Sequence, residues 1–455
     1  MTQTPASGNT PELAAVYAKR RQRLMEQMGP DSIALIPAAP AVIRNRDAEY
    51  RYRPDSSFYY LTGFAEPEAL FCLTTPPATA GDAGCFTLFC RERNREREIW
   101  DGLRAGLEGA KTDFQADESF AIDTLDERIP ALLLNKRKLY VRLGQCANFD
   151  QKVSVWLKKV AALQRTGGQA PSDIIQLDTL LDEMRLFKDD HELSLMRQAA
   201  EISARAHCRA MQQVQPGMME YALEAELLYE FNKAGCQTAY GSIVGGGKNA
   251  CILHYVDNNQ PLQEGDLVLI DAGAELGCYA ADITRTFPVN GRFSPEQAAV
   301  YQVVLDAQAA ALAEVTPGAL WTAPHEAAVK VLTEGLVRLG LLKGDVSQLI
   351  ADERYKRFYM HRTGHWLGMD VHDVGNYRDP ADPAAQRWRS LQPGMVLTVE
   401  PGLYIAADDD TVEERWRGIG IRIEDDVLVT ENGHEILTSG VPSSIAQIEA
   451  LMSKL

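Results

Sequence analysis

A degenerate internal repeat limits the folds open to this chain. The segment Leu262-Gln263-Glu264-Gly265-Asp266-Leu267-Val268-Leu269-Ile270-Asp271-Ala272-Gly273 returns as Leu391-Gln392-Pro393-Gly394-Met395-Val396-Leu397-Thr398-Val399-Glu400-Pro401-Gly402. Each copy runs turn, apolar strand, acidic residue, small residue, glycine. A second pair precedes them, Val214-Gln215-Pro216-Gly217 and Val315-Thr316-Pro317-Gly318. Each member closes one helical pattern and opens another that stops at a glycine, Gly235 and Gly340. A sheet-and-helix unit duplicated within one domain predicts a pseudo-twofold arrangement with Asp271 and Glu400 at related positions. The second half is the longer one, and its extra residues fall between Pro317 and Glu400.

The chain has 455 residues, more than one ordinary core accommodates, so two domains are expected. Ahead of the repeat, 32–37, 69–74, 85–90 and 138–143 read as strands, and 17–28 and 121–134 as helices, an α/β layer of its own. The turn-forming cluster Thr166-Gly167-Gly168-Gln169-Ala170-Pro171-Ser172 interrupts the pattern. We therefore expect domains at 1–175 and 176–455, with 174–186 crossing between them. Asp189 or Asp190 then caps a long helix with Leu193, Met196, Ala200 and Ser203 along one face.

A net charge of −17 argues against nucleic acid or an anionic membrane as the partner. No apolar stretch follows the charged start, and no run is long enough to span a bilayer. The eight cysteines form no CxxC pair and several sit in apolar runs, the pattern of small buried hydrophobes in a reducing compartment. The expected location is the cytoplasm.

Asp271 ends a run of four apolar residues, and Asp282 follows after Gly277, which suits a hairpin turn placing the two on neighbouring strands. Carboxylates held close in apolar surroundings repel; one takes a proton or a cation sits between them. Glu400 repeats the situation at the end of a second apolar strand. Glu424 does so again, where alternation puts Ile421 and Ile423 on one strand face and Arg422 and Glu424 on the other. Four acids on hydrophobic strands destabilise an empty core, whereas two divalent cations neutralise them charge for charge. Three of the eight histidines, His361, His365 and His372, gather around Gly364 and Gly368 and offer a further ligand. Oxygen ligands with one imidazole suit manganese, cobalt or zinc, and such a site favours hydrolysis.

These motifs resemble the bacterial Xaa-Pro aminopeptidase (aminopeptidase P) branch of the M24 metallopeptidases. The signature of the prolidase and aminopeptidase P group matches residues 361–373 throughout. Ile252-Leu253-His254-Tyr255, Asp282-Ile283-Thr284-Arg285-Thr286-Phe287, Gly420-Ile421-Arg422-Ile423-Glu424-Asp425-Asp426 and, near the start, Tyr59-Tyr60-Leu61-Thr62-Gly63-Phe64 match as well. The resemblance covers nearly the whole chain. It implies an α/β (α+β) protein with a creatinase-like N-terminal domain and a duplicated pita-bread catalytic domain. It implies two divalent ions per subunit, with Mn2+ first and Co2+ or Zn2+ as alternatives. Asp271 would hold one, Asp282 and Glu424 would bridge, and His365 and Glu400 would hold the other. A hydroxide between the metals would attack the bond before proline, with Glu400 as general base. His254, His361 and His372 would steady the carbonyl or line the proline pocket, and Arg422, joined by Tyr404, would orient the carboxylates. The implied partners are peptides with proline second and other copies of the chain, as a homodimer or homotetramer. Asp47 and Trp100 match positions that approach an active site in relatives, Trp100 that of a neighbouring subunit. Arg362 departs from the glycine often found there. The same ligands serve prolidase, which cleaves Xaa-Pro dipeptides, and the first-domain match favours the aminopeptidase over it; a pita-bread binding module without catalysis is the reading from another class, and the intact ligand set and histidines count against it.

Overall fold

The computed structural model describes residues 9–77, 84–381 and 383–453, and the chain divides into two compact units, Met1–Asp182 and Glu183–Leu455. The first unit is built on a six-stranded mixed sheet in the order Glu118–Ala121, Cys85–Cys90, Leu70–Thr74, Ser32–Pro37, Lys138–Val141, Asp173–Gln176. Its first helix, Pro11–Met28, begins ahead of the expected start because Thr10 accepts from the Leu13 N–H and Pro11 needs no partner for the amide hydrogen it lacks. The expected helix over 121–134 is shorter, Leu125–Leu133, since Ala121 closes a strand and 122–124 form a 3-10 turn. Ile33, Leu35, Cys72, Phe89 and Trp156 form the core between this sheet and its helices. A division after residue 175 would cut the strand Asp173–Gln176. That strand pairs in parallel with Lys138–Val141, which keeps it in the first sheet, and the units divide after Asp182 instead.

In the second unit the elements that build the site run as α1 (Asp190–Gln213), α2 (Glu220–Lys233), β1 (Ile243–Gly246), β2 (Leu267–Asp271), β3 (Ala274–Leu276), β4 (Tyr279–Ala280), β5 (Thr284–Pro288), α3 (Pro295–Ala313), α4 (Ala323–Arg338), β6 (Val396–Val399), β7 (Gly402–Tyr404), β8 (Gly420–Arg422) and β9 (Asp425–Thr430). Asp189 is the cap of α1: it accepts from Glu192 N, and the Glu192 carboxylate accepts from Asp189 N, a reciprocal capping box. We expect Asp189→Ala to cost about 1 kcal/mol, read as a shift in the urea unfolding midpoint at unchanged m.

The duplication is visible bond by bond. Gly217 N–H donates to Leu262 O at 2.7 Å while Leu262 N–H donates to Met218 O at 2.8 Å. In the second half Gly318 N–H donates to Leu391 O at 2.8 Å while Leu391 N–H donates to Ala319 O at 2.8 Å. Gly217 and Gly318 have φ of 85° and 87°, a left-handed backbone that glycine adopts without strain, which explains the repeated Pro-Gly. Strand β2 pairs antiparallel with β5, Asp271 opposite Thr284, and β6 pairs antiparallel with β9, Val399 opposite Asp425. Helices α1 and α2 pack as one pair, α3 and α4 as the other. Val268, Ile270, Leu397, Val399, Ile421 and Ile423 are buried in one shared core. The apolar faces of both halves therefore meet each other, and the acidic strand ends are left beside one cavity.

Candidate active site

Asp271 is the last residue of β2, and the chain then leaves the sheet. It makes the β3–β4 hairpin, whose two-residue turn is Gly277-Cys278 with φ of 56° and 66°. Asp282 comes back two residues before β5 and does not sit on a strand. Its place beside Asp271 is set by Ala272 N–H donating to Ile283 O at 3.0 Å, not by sheet pairing as expected from the sequence. Glu400 follows β6, with its N–H donating to Thr363 O at 2.8 Å. Glu424 lies in the link between β8 and β9, and its N–H donates to Thr284 O at 3.0 Å. Asp271/Asp282 and Glu400/Glu424 thus occupy corresponding places in the two halves.

The four acids and His365 converge. One donor atom each from Asp282, His365 and Glu424 lie within 4.8 Å of one another. His365 Nε2 stands 3.5 Å from Asp282 Oδ2 and 3.7 Å from Glu400 Oε1. Its Nδ1 is 3.0 Å from Trp366 O; a carbonyl only accepts, so Nδ1 carries a hydrogen whatever the charge of the ring, and Nε2 is the nitrogen left facing the acids, where a cation would take the place of its proton. Asp271 joins through Tyr240, whose hydroxyl lies 2.6 Å from Asp271 Oδ1 and 2.5 Å from Asp282 Oδ1. One phenol hydrogen serves only one of the two at a time.

Arg422 is the nearest compensating charge. Its Nη2 donates to Asp271 Oδ2 at 2.5 Å, and its Nε donates to Thr284 Oγ1 at 3.0 Å. Thr284 Oγ1 in turn donates to Glu424 Oε2 at 2.6 Å. Arg422 Nη1 donates to the Tyr404 hydroxyl at 3.0 Å, and that hydroxyl donates to His361 Nε2 at 2.8 Å. His361 Nδ1 donates to Arg362 O at 2.7 Å. Burial, with help from Arg422, pushes His361 down to about 3, so the ring is neutral.

The electrostatics ask for more positive charge than the chain supplies. Burial pushes the Glu400 carboxyl up to about 7, with Asp282 and Asp271 adding to it against the pull of His365 and Arg422. Glu424 is driven well above the usual range by burial and by the other three acids, and Asp271 is raised by burial despite Arg422. Burial alone would lower His365, yet Asp282 and Glu400 outweigh it and lift it to about 9. Against burial, His365, Tyr240 and Arg422 hold Asp282 below its usual value, but a pocket that raises the other three carboxyls and an imidazole together fits divalent cations: oxygen donors, one aimed imidazole nitrogen and too little local charge.

These groups line a cavity of about 780 Å³. His254, on the loop after the 247–251 turn, is exposed at its wall, and His372 lies against His365 with ring centroids 4.3 Å apart. Trp321, Tyr377 and Trp388 form an aromatic side, and Arg362 also reaches the cavity. Asp47 and Trp100 belong to the first unit, Asp47 at the turn of an exposed hairpin and Trp100 84% exposed. Sequence reasoning passed over Tyr240 and gave Thr284 no role. Tyr240 stands in a loop with no periodicity or spacing to mark it, whereas Thr284 stood two residues from an assigned aspartate.

The profile of Metallopeptidase family M24 matches residues 194–431, and that of the Aminopeptidase P, N-terminal domain, matches 17–140. This chain belongs to metallopeptidase family M24 and uses divalent metal. It is 46% identical over 437 residues to Xaa-Pro aminopeptidase of Escherichia coli strain K12, covering 96% of this chain and 97% of that one. Its fold is similar to that of the Pseudomonas aeruginosa aminopeptidase PepP, with 56% identity, a TM-score of 0.93 and 98% of each chain covered. A zinc-substituted E. coli aminopeptidase P in complex with product is similar at 46% identity and TM-score 0.93, over 97% of this chain and 98% of that one.

Proposed function

We propose that this protein removes the first residue of peptides with proline second, with Asp271, Asp282, His365, Glu400 and Glu424 holding two divalent cations. The observation that carries this reading is the meeting of four carboxylates and one imidazole nitrogen at the wall of a single cavity. The pseudo-symmetric placement of the acids supports a shared role: Asp271, Asp282 and Glu424, with His365 and Glu400, would hold the pair of cations. When bound, such cations polarise a scissile carbonyl and lower the pKa of water, and Mn2+ suits this oxygen-rich set, with Co2+ and Zn2+ next.

The chain's own groups then have distinct tasks. Glu400, held by its amide on Thr363 O and by Thr398 Oγ1 at 3.3 Å, takes the proton of the attacking water and returns it to the imino nitrogen of proline. Arg422 keeps Asp271 and, through Thr284, Glu424 in place. His254 and His372 present their rings to the substrate carbonyl. His361 spends both ring nitrogens on Arg362 O and Tyr404, so it shapes the wall of the proline pocket. A proline amide is tertiary and carries no N–H, which is why a pocket of its own is chemically sensible.

The same reading makes the protein a cytoplasmic homo-oligomer. Its eight cysteines, scattered with no CxxC pair, support the reducing compartment. Ile99, Trp100 and Leu103, between 67% and 84% exposed on and just after the short helix Arg95–Asp101, support a subunit contact. None of the described helices is long and apolar enough to cross a membrane.

With Mn2+ present, an Xaa-Pro-Yaa tripeptide should be cut in preference to the matching Xaa-Pro dipeptide. Strict preference for the dipeptide would make the protein a prolidase, and loss of neither bond would end the proline-specific reading.

A further inference from the structure

Behind the histidine-bearing loop lies a second ionic cluster that the chemistry above does not use. Arg185 and Lys188 precede α1, while Asp370 and Asp373 belong to the turn that carries His372. Arg185 Nη2 lies 2.7 Å from Asp373 Oδ1 and 2.7 Å from Asp370 Oδ2, and Lys188 Nζ lies 3.0 Å from Asp373 Oδ2. The side chains of Arg185, Lys188 and Asp373 are 2%, 1% and 1% exposed. Buried ion pairs return little more than the desolvation they cost, so stability alone is a weak reason for this cluster.

Its backbone connections lead to the site. Asp373 N–H donates to Trp366 O at 2.9 Å, and this is the carbonyl that receives His365 Nδ1–H. Gly368 O accepts from Ala280 N–H at 2.9 Å, two residues before Asp282. Lys188 N–H donates to Gly394 O at 2.9 Å, in the turn that leads into β6 and Glu400. The packing leaves no slack: a methyl group on Gly368 would lie 2.1 Å from Asp373 Oδ2 and 2.9 Å from Lys188 Cε.

We propose that Arg185, Lys188 and Asp373 are positioning residues that clamp the loop 365–373 and so aim His365 Nε2 at Asp282 and Glu400. The clamp works through one atom, the Trp366 carbonyl oxygen: Asp373 fixes it, and it fixes the tautomer and tilt of the His365 ring. Asp373 also directly follows His372, so the same anchor sets the ring packed against His365. The inference rests on the cation-binding reading given above.

The test uses the full-length chain and its variants Lys188→Met, Asp373→Asn and Gly368→Ala. Mn2+ is titrated calorimetrically into metal-free protein, and kcat and KM are measured separately at saturating Mn2+. Gly368→Ala displaces the clamp without changing a charge and carries the test should a charge variant fail to fold. Wild type should take up two equivalents. Each variant should weaken one of the two sites about 10–100-fold, with a comparable loss in kcat and a smaller change in KM. Lys188→Arg should recover most of both. Arg142→Met, which breaks the Arg142–Asp55 and Arg142–Asp178 pairs of the first unit, should lower the melting temperature and leave Mn2+ affinity unchanged. Clamp variants that melt lower yet bind Mn2+ and turn over as wild type does would overturn the proposal. A wild-type protein that takes up no Mn2+ would overturn the cation-binding reading and the clamp with it.

Discussion

Replacing Glu400 by alanine or glutamine is expected to lower kcat by about 10³-fold or more, the upper range of what a positioned general base contributes. Glutamine is the sharper variant, because it keeps the side-chain volume and the acceptor facing Thr398 Oγ1 and loses the negative charge that takes up a proton and helps hold a cation. Stability should move the other way. Glu400 is one of four crowded carboxyls, pushed up to about 7 by burial and by Asp282 and Asp271, so its folded form carries an electrostatic penalty in the absence of cations. Metal-free Glu400→Gln should therefore melt no lower than metal-free wild type. Single-turnover kinetics and calorimetry on the same samples separate the two effects. A glutamine variant within tenfold of wild-type kcat would show that the proton passes through another group.

Chelation is the second large effect. Stripping cations from the purified protein should abolish turnover and lower the melting temperature, and both should return on adding Mn2+. A ligand present at 1,000 times its Kd stabilises by about 4 kcal/mol, which in a unit of this size corresponds to roughly 10 °C. The physical cause is the surplus of acid. Arg422 offers Asp271 and, through Thr284, Glu424 less positive charge than they need, and the imidazole of His365 is drawn up to about 9 beside Asp282 and Glu400. A chelated protein that kept its melting temperature would mean that the acids are satisfied by protons alone.

The site residues were legible one at a time, and their company was not. Asp271 and Glu400 stand out because an acid at the end of an apolar strand is unusual and because the surrounding words repeat. Asp282 and Glu424 were visible as acids but misplaced onto strands, since alternation describes a ladder and both residues sit in the links that leave it. Tyr240 carries no such mark, because only the folding of its loop puts one hydroxyl between two carboxylates. The strand Asp173–Gln176 illustrates the same limit: its residues read as a crossing segment until a partner strand claims them.

The sequence by itself determined the duplication, the apolar strands, the acid at each strand end, the Pro-Gly turns and the family, because each is written in residues near one another along the chain. The tertiary structure alone decided which atoms face which. Nε2 of His365 is aimed by a carbonyl that Asp373 secures from the far side of the loop. The four acids share one cavity because the apolar faces of two halves, distant in sequence, bury each other and leave the polar strand ends nowhere else to go.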